Sequence, residues 1–267
     1  HKLSAQHAAL WNGGVFLYVP RGVAIEEPIQ AILFADDAEA TFVPHILVVA
    51  DANSQVTFVE HTFSELGENP SATLLHNAAV EVFAKPGARV RYASVHHLDS
   101  TAIDVTYRRA ILDKDARIEW IVGELHDGNT LVDTKSILKG NGSTSDAKII
   151  SVGTGSQRMS ITTRAVHYGL SSESDMITRA VMKNEATAII NGITKIEKGA
   201  TKANGQQTEK VLMLSPKARG DANPILLIDE DDVKAGHAAS VGQVNAEQVY
   251  YLMSRGIPEK DARGLLV

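Results

Sequence analysis

A chain of 267 residues can bury a substantial core, and its 44% hydrophobic and 22% charged residues are ordinary for a globular protein. The net charge of −6 argues against nucleic acid or an anionic membrane surface as a partner, and no apolar run approaches the ~20 residues of a membrane span. With no cysteine, the chain supplies neither a disulfide nor a thiolate ligand.

His1–Leu10 is predicted to form a short amphipathic helix, with Leu3, His7 and Leu10 at helical spacing, ended by Asn12-Gly13-Gly14. No signal-peptide pattern opens the chain, and because it begins on His1 and not Met a preceding segment is expected. Val15–Val19 reads as a strand closed by Pro20. From there to about Val244 no long helix is predicted. Short apolar runs recur, among them Ile32–Phe34, Ile46–Val49, Val56–Val59, Ala78–Phe83, Val90–Val95 and Ile118–Val122, separated by Gly, Asn, Asp, Ser and Lys that suit tight corners.

A loose repeat runs through this region. A polar turn leads into small–x–apolar–x–apolar at Ser54-Gln55-Val56-Thr57-Phe58, Ala88-Arg89-Val90-Arg91-Tyr92 and Ala116-Arg117-Ile118-Glu119-Trp120. Weaker copies begin at Ala147 and Ala186. Period-2 alternation places the apolar residues on one face, and repeats that cannot bury that face alone must stack. A β-sandwich of hairpins and a β-helix both fit. Asp127-Gly128, Asn141-Gly142 and Asn191-Gly192 would serve as hairpin turns, whereas uneven spacing and only 5% aromatic residues lean towards a β-helix of narrow cross-section.

The C-terminal end changes character. Asn245 reads as an N-cap with Gln248 completing a capping box, and Val249, Tyr250, Leu252 and Met253 form an apolar face. Gly256 stops that helix, and Pro258 opens a second one with Ala262, Leu265 and Leu266 on one side. This pair either plugs the end of the sheet or forms a docking surface.

Chemistry-bearing motifs are sparse. There is no Gly-x-x-x-x-Gly-Lys-Ser/Thr loop, no Gly-x-Ser-x-Gly elbow and no His-Glu-x-x-His pair; Gly140-Asn141-Gly142 and Gly153-Thr154-Gly155 read as corners. His96-His97, Glu60-His61 and His126-Asp127 are neighbours that a strand sends to opposite faces, so none makes a two-ligand site. His45, His61, His76, His126 and His167 read as packed or surface histidines. His237 differs, because Asp229, Glu230, Asp231, Asp232 and Gly236 precede it and would suit a cation, although a solvated acidic loop followed by a structural histidine explains the same residues.

Ala218-Arg219-Gly220-Asp221-Ala222-Asn223-Pro224-Ile225-Leu226-Leu227-Ile228-Asp229-Glu230-Asp231-Asp232-Val233, with Ala235-Gly236-His237-Ala238-Ala239-Ser240-Val241-Gly242, closely resembles the C-terminal core of the SufB/SufD family, in its SufD branch. Gln248-Val249-Tyr250-Tyr251-Leu252-Met253-Ser254-Arg255-Gly256-Ile257-Pro258 resembles it too, as does Trp11-Asn12-Gly13-Gly14-Val15-Phe16-Leu17-Tyr18-Val19-Pro20 near the start. The resemblance implies an all-β fold, a right-handed parallel β-helix over 15–244, with a helical lead-in over 1–14 and a C-terminal helical segment over 245–267.

It also implies a cytoplasmic, non-catalytic scaffold that assembles nascent iron–sulfur clusters with a SufB-like paralogue and a SufC-like ABC ATPase. A homodimer in isolation is compatible with this. The ATPase chemistry would belong to the SufC-like partner, docked on the C-terminal segment through Tyr250, Tyr251, Leu252, Arg255 and Pro258. No tightly bound cofactor is expected, only a transient iron–sulfur cluster or iron shared with SufB, for which His237 is the candidate ligand. SufB-like chains carry a cysteine upstream of this histidine and an acid after it; here there is no cysteine and Ala238 follows. The competing expectations are a carbohydrate-active β-helix enzyme, which needs grouped carboxylates on one groove, and a purely structural homodimer.

Overall fold

The computed structural model describes residues 2–36, 41–65 and 73–266. After helix α1 (Lys2–Leu10) the chain forms a parallel β-helix with two eight-stranded sheets. The odd sheet holds β1 (Gly13–Val19), β3 (Pro44–Ala50), β5 (Leu75–Ala84), β7 (Ile103–Leu112), β9 (Asn129–Leu138), β11 (Arg158–His167), β13 (Thr187–Ile196) and β15 (Arg219–Ile228). The even sheet holds β2 (Ile29–Ala35), β4 (Gln55–Ser64), β6 (Arg89–His97), β8 (Arg117–Glu124), β10 (Thr144–Gly153), β12 (Glu173–Met182), β14 (Asn204–Met213) and β16 (Lys234–Gln243). Two helices follow, α2 (Ala246–Ser254) and α3 (Glu259–Leu266). No helix among the described residues is long and apolar enough to cross a membrane.

All pairing is parallel and runs from each coil to the next, about 4.8 Å along the axis. The coil length varies: Ile103 lies opposite Asn129, 26 residues on, and Gln55 opposite Arg89, 34 residues on. Alternate side chains point inward and are buried, as in β10, where Ser145, Ala147, Ile149 and Ser151 face in. The sandwich of hairpins is thereby excluded. Asn191-Gly192 lies within β13 and turns nothing, whereas Asn141-Gly142 and Gly153-Thr154-Gly155 are corners in which Gly142 and Gly155 adopt φ of 68° and 57°.

The corners explain the repeat. A residue in the left-handed region is followed by a small buried one in six successive coils: Asn53-Ser54, Gly87-Ala88, Asp115-Ala116, Gly142-Ser143, Ser171-Ser172 and Lys202-Ala203. The backbone N–H of each left-handed residue donates to a carbonyl in the next corner, for instance Gly87 N to Lys114 O at 2.9 Å and Gly142 N to Leu170 O at 2.9 Å. The first three sequence copies therefore lie at true corner positions. Of the two weaker copies, Ala147 does not, since it pairs with Trp120 further along the strand; Ala186 closes a corner by donating its N–H to Lys183 O at 3.0 Å, but that corner leads into β13 of the odd sheet.

Inside, Phe58, Tyr92 and Trp120 stack with ring centroids 5.4 and 5.2 Å apart, and the small Ala147 in the following coil makes room for the indole. Further along, the lumen is polar, which hid several strands from sequence reading. In β9 the inward column is Thr130, Val132, Thr134, Ser136 and Leu138, so no apolar alternation marks it. The same mixed columns obscured β7, β11, β12 and β16. The N-terminal helix also departs from expectation: His7 is its buried residue, while Leu10 is exposed. His7 is drawn in by a hydrogen bond from its Nδ1 to the Asn77 carbonyl at 2.8 Å.

Candidate functional site

The β-helix ends on an open coil. β15 and β16 are the terminal strands of their sheets, each paired on one side only, so one edge of each offers free backbone donors and acceptors. Their inward columns stay accessible because no further coil among the described residues covers them. In β16 that column is Ala235, His237, Ala239 and Val241, in register with buried Gly205, Gln207, Glu209 and Val211 of β14. In β15 it is Ala222, Pro224, Leu226 and Ile228, in register with buried Ile190, Gly192, Thr194 and Ile196 of β13.

His237 is thus an exposed imidazole on the mouth of the solenoid, one coil above Gln207. The floor beneath it is polar. Gln207 accepts a hydrogen bond from Thr194 Oγ1 at 3.0 Å, but its Nε2 has no partner. Glu209 is 2% exposed, its Oε2 also has no partner, and burial pushes its carboxyl up to about 7. Gly192 leaves the space they occupy, since a Cβ there would overlap Glu209 Oε1. An imidazole, an amide and a carboxyl titrating near neutrality therefore meet at the mouth. Sequence reasoning missed Gln207 and Glu209, although both share the inward parity of Val211.

The acidic run does not wrap around the histidine. Asp229–Asp232 form the corner between β15 and β16, whereas His237 lies within β16. Glu230 accepts from the backbone N–H groups of Gly199 and Asp231 at 2.9 and 3.0 Å, which hold its carboxyl below the usual range. The described residues contain no three-ligand grouping at His237; the two such groupings lie in the lumen, far along the chain.

The predicted helical pair is present. The Asn245 side chain accepts from the N–H of Glu247 and of Gln248, and Gly256 adopts φ of 87° after the helix end. Val249 and Ala262 are buried where the helices meet, while Leu265, expected to share Ala262's face, is exposed. Leu266 lines a groove with the outward-facing Arg179, Lys210 and Ser240 of the even sheet, and that groove also reaches Val241 of the inward column. Tyr250 and Tyr251 are 74% and 57% exposed, Arg255 lies over the Tyr251 ring at 5.4 Å, Leu252 is half-buried and Pro258 is exposed. These five residues surround one helical hairpin, separate from the His237 mouth.

Residues 33–267 match the family described as SUF system FeS cluster assembly, SufBD core domain. Across all of this chain, the iron–sulfur cluster assembly protein SufD of Bacillus subtilis is 48% identical, with 61% of that protein covered. SufB of the same organism is 28% identical and a SufBD family protein of Staphylococcus epidermidis 27%, with 57% of each covered. The chain spans about three-fifths of the length of these curated relatives. A parallel β-helix matched over 33–267 by that domain identifies the chain as a member of the SufBD core family of SUF-system iron–sulfur cluster assembly.

Proposed function

We propose that this chain is a SufD-like, non-catalytic scaffold, cytoplasmic in location, whose open terminal coil joins a SufB-like paralogue. The observation that carries this reading is the mouth itself: two free strand edges of parallel sheets, an exposed inward column and His237 on its rim. A paralogous β-helix would extend both sheets across the junction by backbone pairing, covering Val241, Leu226 and Ile228. His237 would then stand at the seam as an imidazole ligand for iron or a nascent cluster in transit. These 267 residues contribute no thiolate, so a thiolate ligand would come from outside them. Identity of 48% to a SufD against 28% to a SufB supports the SufD side of the pair.

The exposed hairpin of Tyr250, Tyr251, Leu252, Arg255 and Pro258 suits a second partner, a SufC-like ATPase. In isolation the free edges suit a second copy of this chain.

Co-expression of the full-length protein with SufB-like and SufC-like partners, followed by anaerobic iron and sulfide analysis, tests the assignment. Val241→Asp is expected to abolish SufB-like pairing, Tyr250→Ala with Tyr251→Ala to release only the ATPase, and His237→Ala to keep both partners but lose iron and sulfide. Full cluster yield from the His237→Ala complex would reject the ligand role, and pairing unaffected by Val241→Asp would reject the mouth as the junction. Turnover of polysaccharides by the same preparation would favour the carbohydrate-active alternative.

A further inference from the structure

Well inside the solenoid, a second set of ionisable residues meets, of which sequence reasoning singled out only the histidines, His76 as packed or surface and His96 as half of a tandem pair. His76 on β5 lies opposite Asp104 on β7, and His96 on β6 lies opposite Glu124 on β8. All four are 0% exposed. His76 Nδ1 is 2.8 Å from Asp104 Oδ1, His96 Nδ1 is 2.9 Å from Asp104 Oδ2, and the same His96 Nδ1 is 3.4 Å from Glu124 Oε2. The first two are hydrogen-bond lengths, but the ligand atoms of His76, His96 and Asp104 all lie within 4.8 Å of one another, so small movements set them the about 3.3 Å apart that a tetrahedral ion with bonds of ~2.0–2.1 Å requires.

The surroundings hold Asp104, Glu124 and His96 from behind, with His96 Nε2 3.2 Å from Glu60 Oε1. Thr106 Oγ1 donates to Asp104 Oδ1 at 2.7 Å, and Arg108 Nη1 donates to Glu124 Oε1 at 3.1 Å, which leaves Glu124 Oε2 aimed inward without a hydrogen bond. His126 stands outside the shell. Its Nδ1 accepts the Gly128 N–H at 3.2 Å, so its proton is on Nε2, facing Asp104 Oδ2 at 3.5 Å and Glu124 Oε2 at 3.8 Å.

The enclosure is rich in anions. Three enclosed carboxylates, Glu60, Asp104 and Glu124, surround a single guanidinium, Arg108, and both Glu124 Oε2 and His76 Nε2 lack a hydrogen-bond partner.

We infer that His76, His96 and Asp104, with Glu124 as fourth ligand, bind one divalent transition-metal ion that ties the two sheets together across successive coils. Two imidazoles and two carboxylates, with no thiolate, suit zinc, iron(II), cobalt(II) or manganese(II). The site is distinct from the mouth and independent of the role proposed for His237.

The test uses the full-length protein purified from cells grown in medium supplemented with zinc or with cobalt(II). Wild type is expected to hold about one ion per chain, to show a cobalt(II) spectrum of nitrogen and oxygen ligation, and to melt about 5 °C or more above protein expressed under chelation. Asp104→Asn and His76→Gln should each lower occupancy at least about tenfold, while Lys114→Ala, at an exposed corner, should leave it unchanged. Should neither ligand variant fold, X-ray absorption of the zinc-loaded wild type decides, two imidazoles in the shell being required. Wild type without metal after supplementation, occupancy unchanged in a folded ligand variant, or a shell lacking two imidazoles would overturn the assignment.

Discussion

His167 offers a direct measure of how the enclosed lumen treats a titratable group. It ends β11 fully buried, with Nδ1 2.8 Å from Ser172 Oγ and Nε2 2.8 Å from Ser174 Oγ. Ser172 Oγ donates its own hydrogen to Gly169 O at 2.8 Å, so it accepts from Nδ1–H, and Ser174 donates to Nε2. The neutral ring is fully partnered. Burial therefore lowers its pKa from 6.5 to about 4, against the smaller opposing effect of the Ser172 bond.

The unfolded chain binds this proton more readily than the folded one. Stability from this group is therefore complete above pH 6.5 and is lost as pH falls towards 4. At about 1.4 kcal/mol per pKa unit, the loss is about 1.4 kcal/mol at pH 5.5 and about 3 kcal/mol at pH 4. Guanidinium unfolding of wild type and His167→Gln at pH ~7.5, ~5.5 and ~4, followed by tryptophan fluorescence, isolates the effect, because other titrating groups cancel in the difference. Wild type should lose more stability than the variant by these amounts. Parallel loss in both proteins would refute the reasoning.

Trp120→Ala removes the fully buried indole from the Phe58–Tyr92–Trp120 stack and its Nε1 bond to Ser136 Oγ at 3.0 Å, and should cost about 3–5 kcal/mol in chemical denaturation. Gly169→Ala puts a Cβ into the Gly140 carbonyl and should destabilise more than Gly155→Ala, where space is open and only a positive φ is strained, at about 1–2 kcal/mol; thermal melts compare the two. Glu209→Gln should gain stability over wild type as pH rises from 4.5 to about 7, since the folded carboxyl holds its proton longer than the unfolded one, and paired unfolding curves check the sign. Asn245→Ala should cost about 1 kcal/mol, confined to α2 and read out as faster amide exchange there.

Local physics made much of this chain readable. Ser54, Ala88 and Ala116 mark true corners because a left-handed residue followed by a small side chain is a local requirement of tight turning. The Asn245 cap and the Gly256 stop are likewise local, since the atoms involved lie within one helical turn. The resemblance around His237 also held, because it rests on a long continuous run. What the sequence leaves open is which residues become neighbours. His76, His96, Asp104 and Glu124 are scattered over four strands, and each alone looks like packing. Variable corner lengths hide the register that stacks them, so only the coiled chain shows them as one enclosure. The same holds for His237: an acidic loop by composition, its segment is a strand because β14 supplies a pairing edge, and His237 is exposed because among the described residues β16 is paired on that side only.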